Sequence, residues 1–467
     1  MKPNILFFLT DDQRFDTISA LGNKEIHTPN LDKLVSNGVT FTHAHIPCGT
    51  SGAVCMPSRA MLHTGRTLFH IEKEGQNIPD NHITLGEHLK NQGYQTFGTG
   101  KWHNGVKSYA RSFTCGDNIF FGGMDDHWNV PLNHYDPTGK YEGRLKRTYS
   151  FMTSNQTRIS IGDHVEAGKH SSEIFCDASI DFLNNYDSVD PFFLYIAFMA
   201  PHDPRTMPER FMNMYDPDDI SLPDNFLQEH PIDYGIKGIR DEILTPYPRT
   251  EEAIKKHIAE YYGMISHLDH ELGRVITALE ETGQYDNTII VFTGDNGLAL
   301  GQHGLMGKQS CYEHSIRVPL IFSGKGIPTN ERRDSYAYLL DIYPTLCDLA
   351  GIDIPDTVEG RSLLSSIQDN NHITRENLYF AYTDTIRSVK DERYKLIEYV
   401  SGNSNETQLF DLIDDPLEMN NLYSDKNYED IVIKLRNEIF KYRDNWDDVS
   451  SHESGESYWE KYEKLNH

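Results

Sequence analysis

Acidic, amide, basic and imidazole side chains collect in four short strings: Asp11-Asp12, Lys101-Trp102-His103, Pro201-His202-Asp203 and Asp295-Asn296. Asp11, Asp12, Asp295 and Asn296 offer hard oxygen donors, a set that suits Ca²⁺ or Mg²⁺ and suits zinc or copper poorly. Taken singly these strings are ordinary turn sequences, because Asp and Asn-Gly favour tight loops. A fifth string, Cys55-Met56-Pro57-Ser58-Arg59, running on to Thr64-Gly65-Arg66, is more specific. A proline two residues after Cys55, followed by helix formers, places that cysteine at a helix N-terminus. Backbone N–H groups and the helix dipole favour an anion there, whereas a free cysteine elsewhere is most often a packing residue.

Each of the first four strings follows a short apolar run: Ile5–Thr10, Tyr94–Thr99, Phe192–Met199 and Thr288–Thr293. Runs apolar on both faces suit parallel strands covered by helices. Ligands of such sheets bind beyond the carboxyl ends of the strands, so four strands deliver carboxylates, an amide, a lysine and two histidines to one edge. Apolar spacing over Ile254–Glu281 predicts an amphipathic helix with Gly283 as its stop. The interval from 104 to 170 is rich in Gly, Asp, Asn and aromatics and reads as an irregular insertion carrying specificity. In it, His127, Trp128 and His134 combine an aromatic platform with imidazole partners, which suits a carbohydrate subsite; a loop packed on its own aromatics accounts for them equally well.

Beyond Gly351 the texture changes, and Pro355 and Gly360 mark a boundary. Residues 1–355 are expected to form a large catalytic α/β domain. Residues 356–467 are expected to form a small α+β subdomain, with strand-like runs at Leu378–Tyr382, Tyr394–Tyr399 and Thr407–Phe410 and a helix around Tyr428–Trp446.

The formal charge of −27 excludes non-specific nucleic-acid binding, which needs a basic surface. It also means that an anionic substrate requires local cations to offset a repulsive field. The six cysteines form neither a CxxC pair nor a disulfide framework. No apolar stretch approaches the roughly 20 residues of a membrane span. The first residues read as a core strand and not as a signal peptide.

The strings together resemble the type I, formylglycine-dependent sulfatases of the alkaline phosphatase superfamily over nearly the whole chain. The resemblance is carried by Pro3-Asn4-Ile5-Leu6 leading to Asp11-Asp12, by Cys55-x-Pro57-Ser58-Arg59, Gly100-Lys101-Trp102-His103 and Ala200-Pro201-His202. It continues through Thr293-Gly294-Asp295-Asn296-Gly297, Gly307-Lys308, Arg317-Val318-Pro319-Leu320, Arg393-Tyr394-Lys395-Leu396 and Leu409-Phe410-Asp411-Leu412. It implies a large, mixed, mostly parallel sheet sandwiched by helices, with a small C-terminal α+β subdomain. It also implies that a separate maturation enzyme oxidises Cys55 to formylglycine, whose hydrate attacks sulfur. Asp11, Asp12, Asp295 and Asn296 then hold Ca²⁺, with Mg²⁺ as the alternative, together with the converted Cys55. His202 is implied as the general acid, His103 as the base, Lys101 and Lys308 as the sulfate clamp, and Arg59 as support for the nucleophile. His303, close in sequence to Lys308, is a further candidate for substrate contact.

By the same resemblance the substrate is a sulfated oligo- or polysaccharide, with an algal polymer such as ulvan or carrageenan ahead of glycosaminoglycans. Hydrolysis of a phosphonate or phosphate monoester is the alternative. A periplasmic location, with a leader outside this sequence, is expected ahead of a cytoplasmic one.

Overall fold

The computed structural model describes residues 2–150, 155–402, 404–449 and 455–466. The four apolar runs lie side by side at the centre of the main sheet. Its eight strands are β1 (Asn4–Thr10), β2 (Gly38–Phe41), β3 (Gln95–Lys101), β4 (Cys115–Phe120), β5 (Phe192–Ala197), β6 (Thr288–Gly294), β7 (Leu320–Gly324) and β8 (Glu331–Arg333). Their spatial order is β8-β2-β7-β6-β1-β5-β3-β4. Only β7 runs against its neighbours, antiparallel to both β6 and β2. The sheet is therefore mixed and mostly parallel.

Side chains alternate across the strands. Ile5, Phe7 and Leu9 of β1 enter one core with Ala60, Met61 and Leu62 of helix α1 (Cys55–Thr64). Leu6 and Phe8 enter the opposite core with Ile174 and Phe175 of α2 (Ser171–Asn184) and with Leu268, Leu272 and Val275 of α3 (Glu251–Glu281). Helices on both faces explain why β1 and β6 read as unbroken apolar runs. Thr250 caps α3 by accepting from the Ala253 amide, and the helix ends at Thr282 just before Gly283, as the spacing predicts. Gly100 must be glycine: its φ is +87°, and a Cβ there would lie 1.9 Å from the Ala197 carbonyl oxygen of the neighbouring strand.

The interval 104–170 is less irregular than expected, although its residues 151–154 lie outside the described ones. It contributes β4, the edge strand of the main sheet, and a hairpin of Arg144–Ser150 with Gln156–Ile161. Polar residues in all three strands hid them: one face of an edge element meets water, so no apolar run marks it.

The C-terminal part is an antiparallel meander of β9 (Leu378–Tyr382), β10 (Ile386–Lys390), β11 (Tyr394–Ser401) and β12 (Ser404–Asp411). Cys48–Gly49, from the loop before α1, adds a parallel strand to β9. Helix α4 (Glu429–Asn445) buries Val432, Leu435 and Ile439 beside the meander. Arg387 of β10 and Asp448 are fully buried and paired, Nε to Oδ2 at 2.6 Å and Nη2 to Oδ1 at 2.8 Å, with the Tyr379 hydroxyl donating to Oδ2 at 2.6 Å. Removing one partner of such a pair strands the other charge in the core. Asp448→Ala is therefore expected to lower stability by about 3–5 kcal/mol in urea unfolding; a loss below about 1 kcal/mol would show that the pair is not structural.

Candidate active site

The parallel register aligns Thr10 with Gly294, so the chain leaves β1 and β6 with Asp11 and Asp295 side by side. The Asp295 amide donates to the Thr10 carbonyl at 2.9 Å, and the Asp12 amide donates to Asp295 Oδ1 at 3.1 Å. Helix α1 points its first turn at these strand ends. Cys55 opens the helix, and Ser58 and Arg59 follow at the i+3 and i+4 spacing that shares one face. The Ser58 hydroxyl donates to the Asp295 carbonyl at 2.5 Å. Arg59, fully buried, donates from Nε to Asp295 Oδ2 at 2.8 Å and from Nη1 to the Lys101 carbonyl at 2.6 Å, with Nη2 3.5 Å from Asp11 Oδ2.

Two lysines complete the charge balance. Lys101 Nζ donates to Asp11 Oδ2 and lies 3.6 Å from Cys55 Sγ. Lys308 Nζ donates to Asp12 Oδ1 at 2.6 Å. His103 Nδ1 lies 3.5 Å from Cys55 Sγ on the other side. His202 Nδ1 donates to the Asp203 carbonyl at 2.7 Å, which turns Nε2 toward Asp12 Oδ2 at 3.6 Å. Asp12 and His103 both adopt left-handed backbone angles, φ 63° and 71°, a region that residues other than glycine enter uncommonly.

Burial and these charges set the protonation states. Burial works to raise Asp11, but Lys101 and Arg59 outweigh it and hold that carboxyl well below the usual range. Burial and the Asp11 charge push Asp295 up to about 6 against the pull of Arg59. Burial, then Lys101 and Arg59, depresses His103 and keeps its imidazole neutral. Burial pushes the Cys55 thiol up to about 11, against the opposing pull of Lys101 and Lys308. An unmodified Cys55 is thus a protonated thiol, not the low-pKa thiolate that makes a cysteine nucleophilic.

The donor set fits a hard divalent cation. Asp11 Oδ1 and Asn296 Oδ1 are buried without a hydrogen-bond partner, a costly arrangement unless a ligand uses them. Donor atoms of Asp11, Cys55 and Asp295 lie within 4.8 Å of one another. The Asn296 amide nitrogen donates to Asp12 Oδ1 at 2.6 Å and to the Gly297 carbonyl at 2.8 Å, which leaves its oxygen as the free donor.

Residues 3–352 match the family described as Sulfatase. The chain belongs to the sulfatase family. Residues 301–445 also match the family described as N-sulphoglucosamine sulphohydrolase, C-terminal. An arylsulfatase of Clostridium perfringens is 30% identical, with 94% of each chain covered. An N-acetylglucosamine-6-O-sulfatase of Bacteroides thetaiotaomicron is 25% identical over 95% of this chain and 87% of its own. Among solved structures, one in complex with its substrate D-glucosamine-2-N,6-O-disulfate shares the fold, with a TM-score of 0.78 at 22% identity, covering 97% of this chain and 100% of that one. The protein is a sulfuric ester hydrolase with an alkaline phosphatase-like fold.

Not every residue expected at the site of this sulfatase reaches it. His127 is buried with both ring nitrogens engaged, Nδ1 with the Ser171 hydroxyl at 2.7 Å and Nε2 with the His202 carbonyl at 3.1 Å. It has no atom left for substrate and braces the His202 loop instead. His134 is 68% exposed at the side chain, binds Asp117 at 2.8 Å and stacks on His164. Asp117 belongs to the first half of β4, away from the carboxyl edge, so the structure does not bring His134 to the site. His303 is buried and stacked on Tyr312 at 4.0 Å, with Nε2 3.2 Å from the Asn225 amide. It packs toward the C-terminal meander, where Tyr312 meets Phe410 and Gln408. Trp128 is half-buried, edge-on to His170 at 5.3 Å. From the same loop Gly123 lies over a catalytic candidate: a Cβ there would lie 2.8 Å from His103 Nε2.

Other residues near the site gave no signal in the sequence. Arg240 pairs with the Asp203 carboxylate, and Asp241 accepts from Gln309 Nε2 at 2.7 Å. Buried Glu242 accepts from the amides of Met306 at 3.1 Å and Gly307 at 2.9 Å, fixing the loop that carries Lys308. All three acidic or basic side chains come from a single-turn segment, Arg240–Leu244, too short for periodicity to mark.

The protonation of Asp295 makes a prediction with a definite sign. Its folded value of about 6 lies above the ordinary carboxylate value. The cost of holding Asp295 ionised in the folded protein therefore grows from about pH 4 to about pH 6 and is fully present above that. A cation bound there must displace the proton, so divalent-cation affinity is expected to fall, by up to about tenfold per pH unit, as pH drops below about 6. Calorimetry at pH 5 and pH 7.5 checks this; equal affinities would exclude Asp295 as a ligand.

Proposed function

We propose that this sulfatase hydrolyses a sulfate ester of a sulfated carbohydrate, with Cys55 converted by a maturation enzyme to formylglycine and with Ca²⁺ held by Asp11, Asp12, Asp295 and Asn296. The observation that carries this reading is the position of Cys55: first residue of a helix, 3.6 Å from Lys101 Nζ and 3.5 Å from His103 Nδ1, beside partnerless oxygens of Asp11 and Asn296. Together, the aldehyde hydrate and the cation supply a hydroxyl that ionises at low cost next to sulfur.

The chain's own residues do the rest. Lys101 and Lys308 are paired with Asp11 and Asp12; with a dication held by those carboxylates, both lysines would be placed to clamp sulfate oxygens. Arg59 keeps the Asp11–Asp295 pair and the first turn of α1 in register. His202, with Nδ1 held by the Asp203 carbonyl, presents Nε2 to the leaving oxygen and delivers a proton to it. His103, neutral and within reach of position 55, takes a proton from that position.

A sugar as the alcohol is supported by the N-acetylglucosamine-6-O-sulfatase among the relatives. A polysaccharide-derived substrate in turn supports a periplasmic site of action; among the described residues no helix is long and apolar enough to cross a membrane. Algal ulvan stands first among the polymers to test, followed by carrageenan, chondroitin and heparan oligosaccharides.

Cys55→Ala is expected to fold normally and to lose turnover by at least about 10³-fold. Sulfate release by that variant at the wild-type rate would remove the nucleophile from the account. His202→Ala is expected to lose about 10²–10⁴-fold on sugar sulfates but much less on an aryl sulfate whose phenol leaves without a proton. Equal losses on both substrates would deny His202 the role of acid.

A further inference from the structure

On the helical face opposite α1 lies a second cluster of ligating side chains. His267 and Glu271 stand one turn apart on α3, and Glu173 faces them from α2. His267 is 1% exposed at the side chain, and neither ring nitrogen has a hydrogen-bond partner. Its Nε2 lies 3.7 Å from Glu173 Oε1 and 3.8 Å from Glu271 Oε1. One donor atom from each of the three residues falls within 4.8 Å of the others.

Those separations discriminate between two arrangements. An imidazolium held by two carboxylates would donate at about 2.7–2.9 Å, and neither distance approaches that. Ligands about 2.0–2.2 Å from a shared ion at tetrahedral angles stand about 3.3–3.6 Å apart, within a few tenths of an ångström of the observed spacing. One neutral imidazole and two carboxylates also balance a dication. Facing helices that contribute Glu and His inward are an established way to build a metal site. The other Glu271 oxygen is held by Arg274, which fixes the carboxylate with Oε1 toward His267. Glu173 remains 28% exposed, which leaves a route from solvent.

We propose that Glu173, His267 and Glu271 form a second divalent-cation site, of the zinc class, separate from the oxygen-lined site at the strand ends. A nitrogen ligand with two carboxylates suits a borderline ion, whereas Asp11, Asp12, Asp295 and Asn296 suit a hard one. The bound ion clamps α2 to α3 beneath a stack of rings. His267 meets His170 edge-on at 4.7 Å, His170 lies parallel to His127 at 4.8 Å, and His127 holds the His202 carbonyl at 3.1 Å. The second ion therefore braces the loop that carries His202.

Metal-stripped protein, kept in excess Ca²⁺ to fill the hard-oxygen site, is titrated with Co²⁺ and followed by its ligand-field absorption and by the thermal midpoint. The expected result is one saturable equivalent, a low-coordinate visible band and a midpoint raised by several degrees. Glu173→Gln, at a partly exposed position, should weaken that equivalent at least tenfold while leaving Ca²⁺ affinity at the strand ends unchanged; His267→Ala should abolish it. Absence of saturable binding, or an equivalent unchanged in Glu173→Gln, overturns the proposal.

Discussion

The structure is organised around a buried charge balance. Asp11, Asp12 and Asp295 sit at the ends of two adjacent strands, and Arg59, Lys101 and Lys308 meet them in the same water-poor space. Isolated, each of those carboxylates would cost several kcal/mol to bury. Paired, they form a set whose charges cancel and whose geometry is fixed by the sheet: register places the acids, and the first turns of α1 place the guanidinium. A net charge of −27 would otherwise repel an anionic ester. The three cations gathered at one edge cancel the local carboxylates, so the proposed ester site does not add to that repulsion.

The rest of the molecule holds that edge in place. Helices on both faces make the sheet dry enough for the ion pairs to matter. The meander at the C-terminus takes Cys48–Gly49 as its edge strand, which ties the loop before α1 to the small sheet. Glu242 fixes the loop before Lys308, and His127 fixes the loop at His202. The candidate site side chains Lys308 and His202, carried on loops, are thereby positioned by buried hydrogen bonds rather than by regular structure.

Residues that end buried apolar strands were legible in the sequence, because composition and position both mark them. Asp11, Lys101 and Asp295 follow runs that match β1, β3 and β6 to within a residue or two, and Cys55 announces itself through Pro57. The long helix α3 and the first meander strand were equally plain. Edge elements were not: β4 and the paired strands Arg144–Ser150 and Gln156–Ile161 carry mixed residues that form no apolar run. Histidines were the least legible. His127, His134 and His303 share a residue type with His103 and His202, but only the fold decides which rings face the strand ends and which are spent on Ser171, Asp117 or Tyr312. Arg240, Asp241 and Glu242 come from a single turn and owe their placement wholly to tertiary contacts.

If the charge balance is the organising constraint, cation and anion must enter together: a dication takes over Asp11 and Asp12, and the freed Lys101 and Lys308 take the sulfate. Titration of inorganic sulfate into the protein, with Ca²⁺ and again in chelator, measures that coupling directly. The account predicts binding at least about tenfold tighter with the cation present, a coupling of about 1.4 kcal/mol or more. Equal affinity in chelator would mean that the lysines are free without the cation, and that the buried ion pairs do not govern the site.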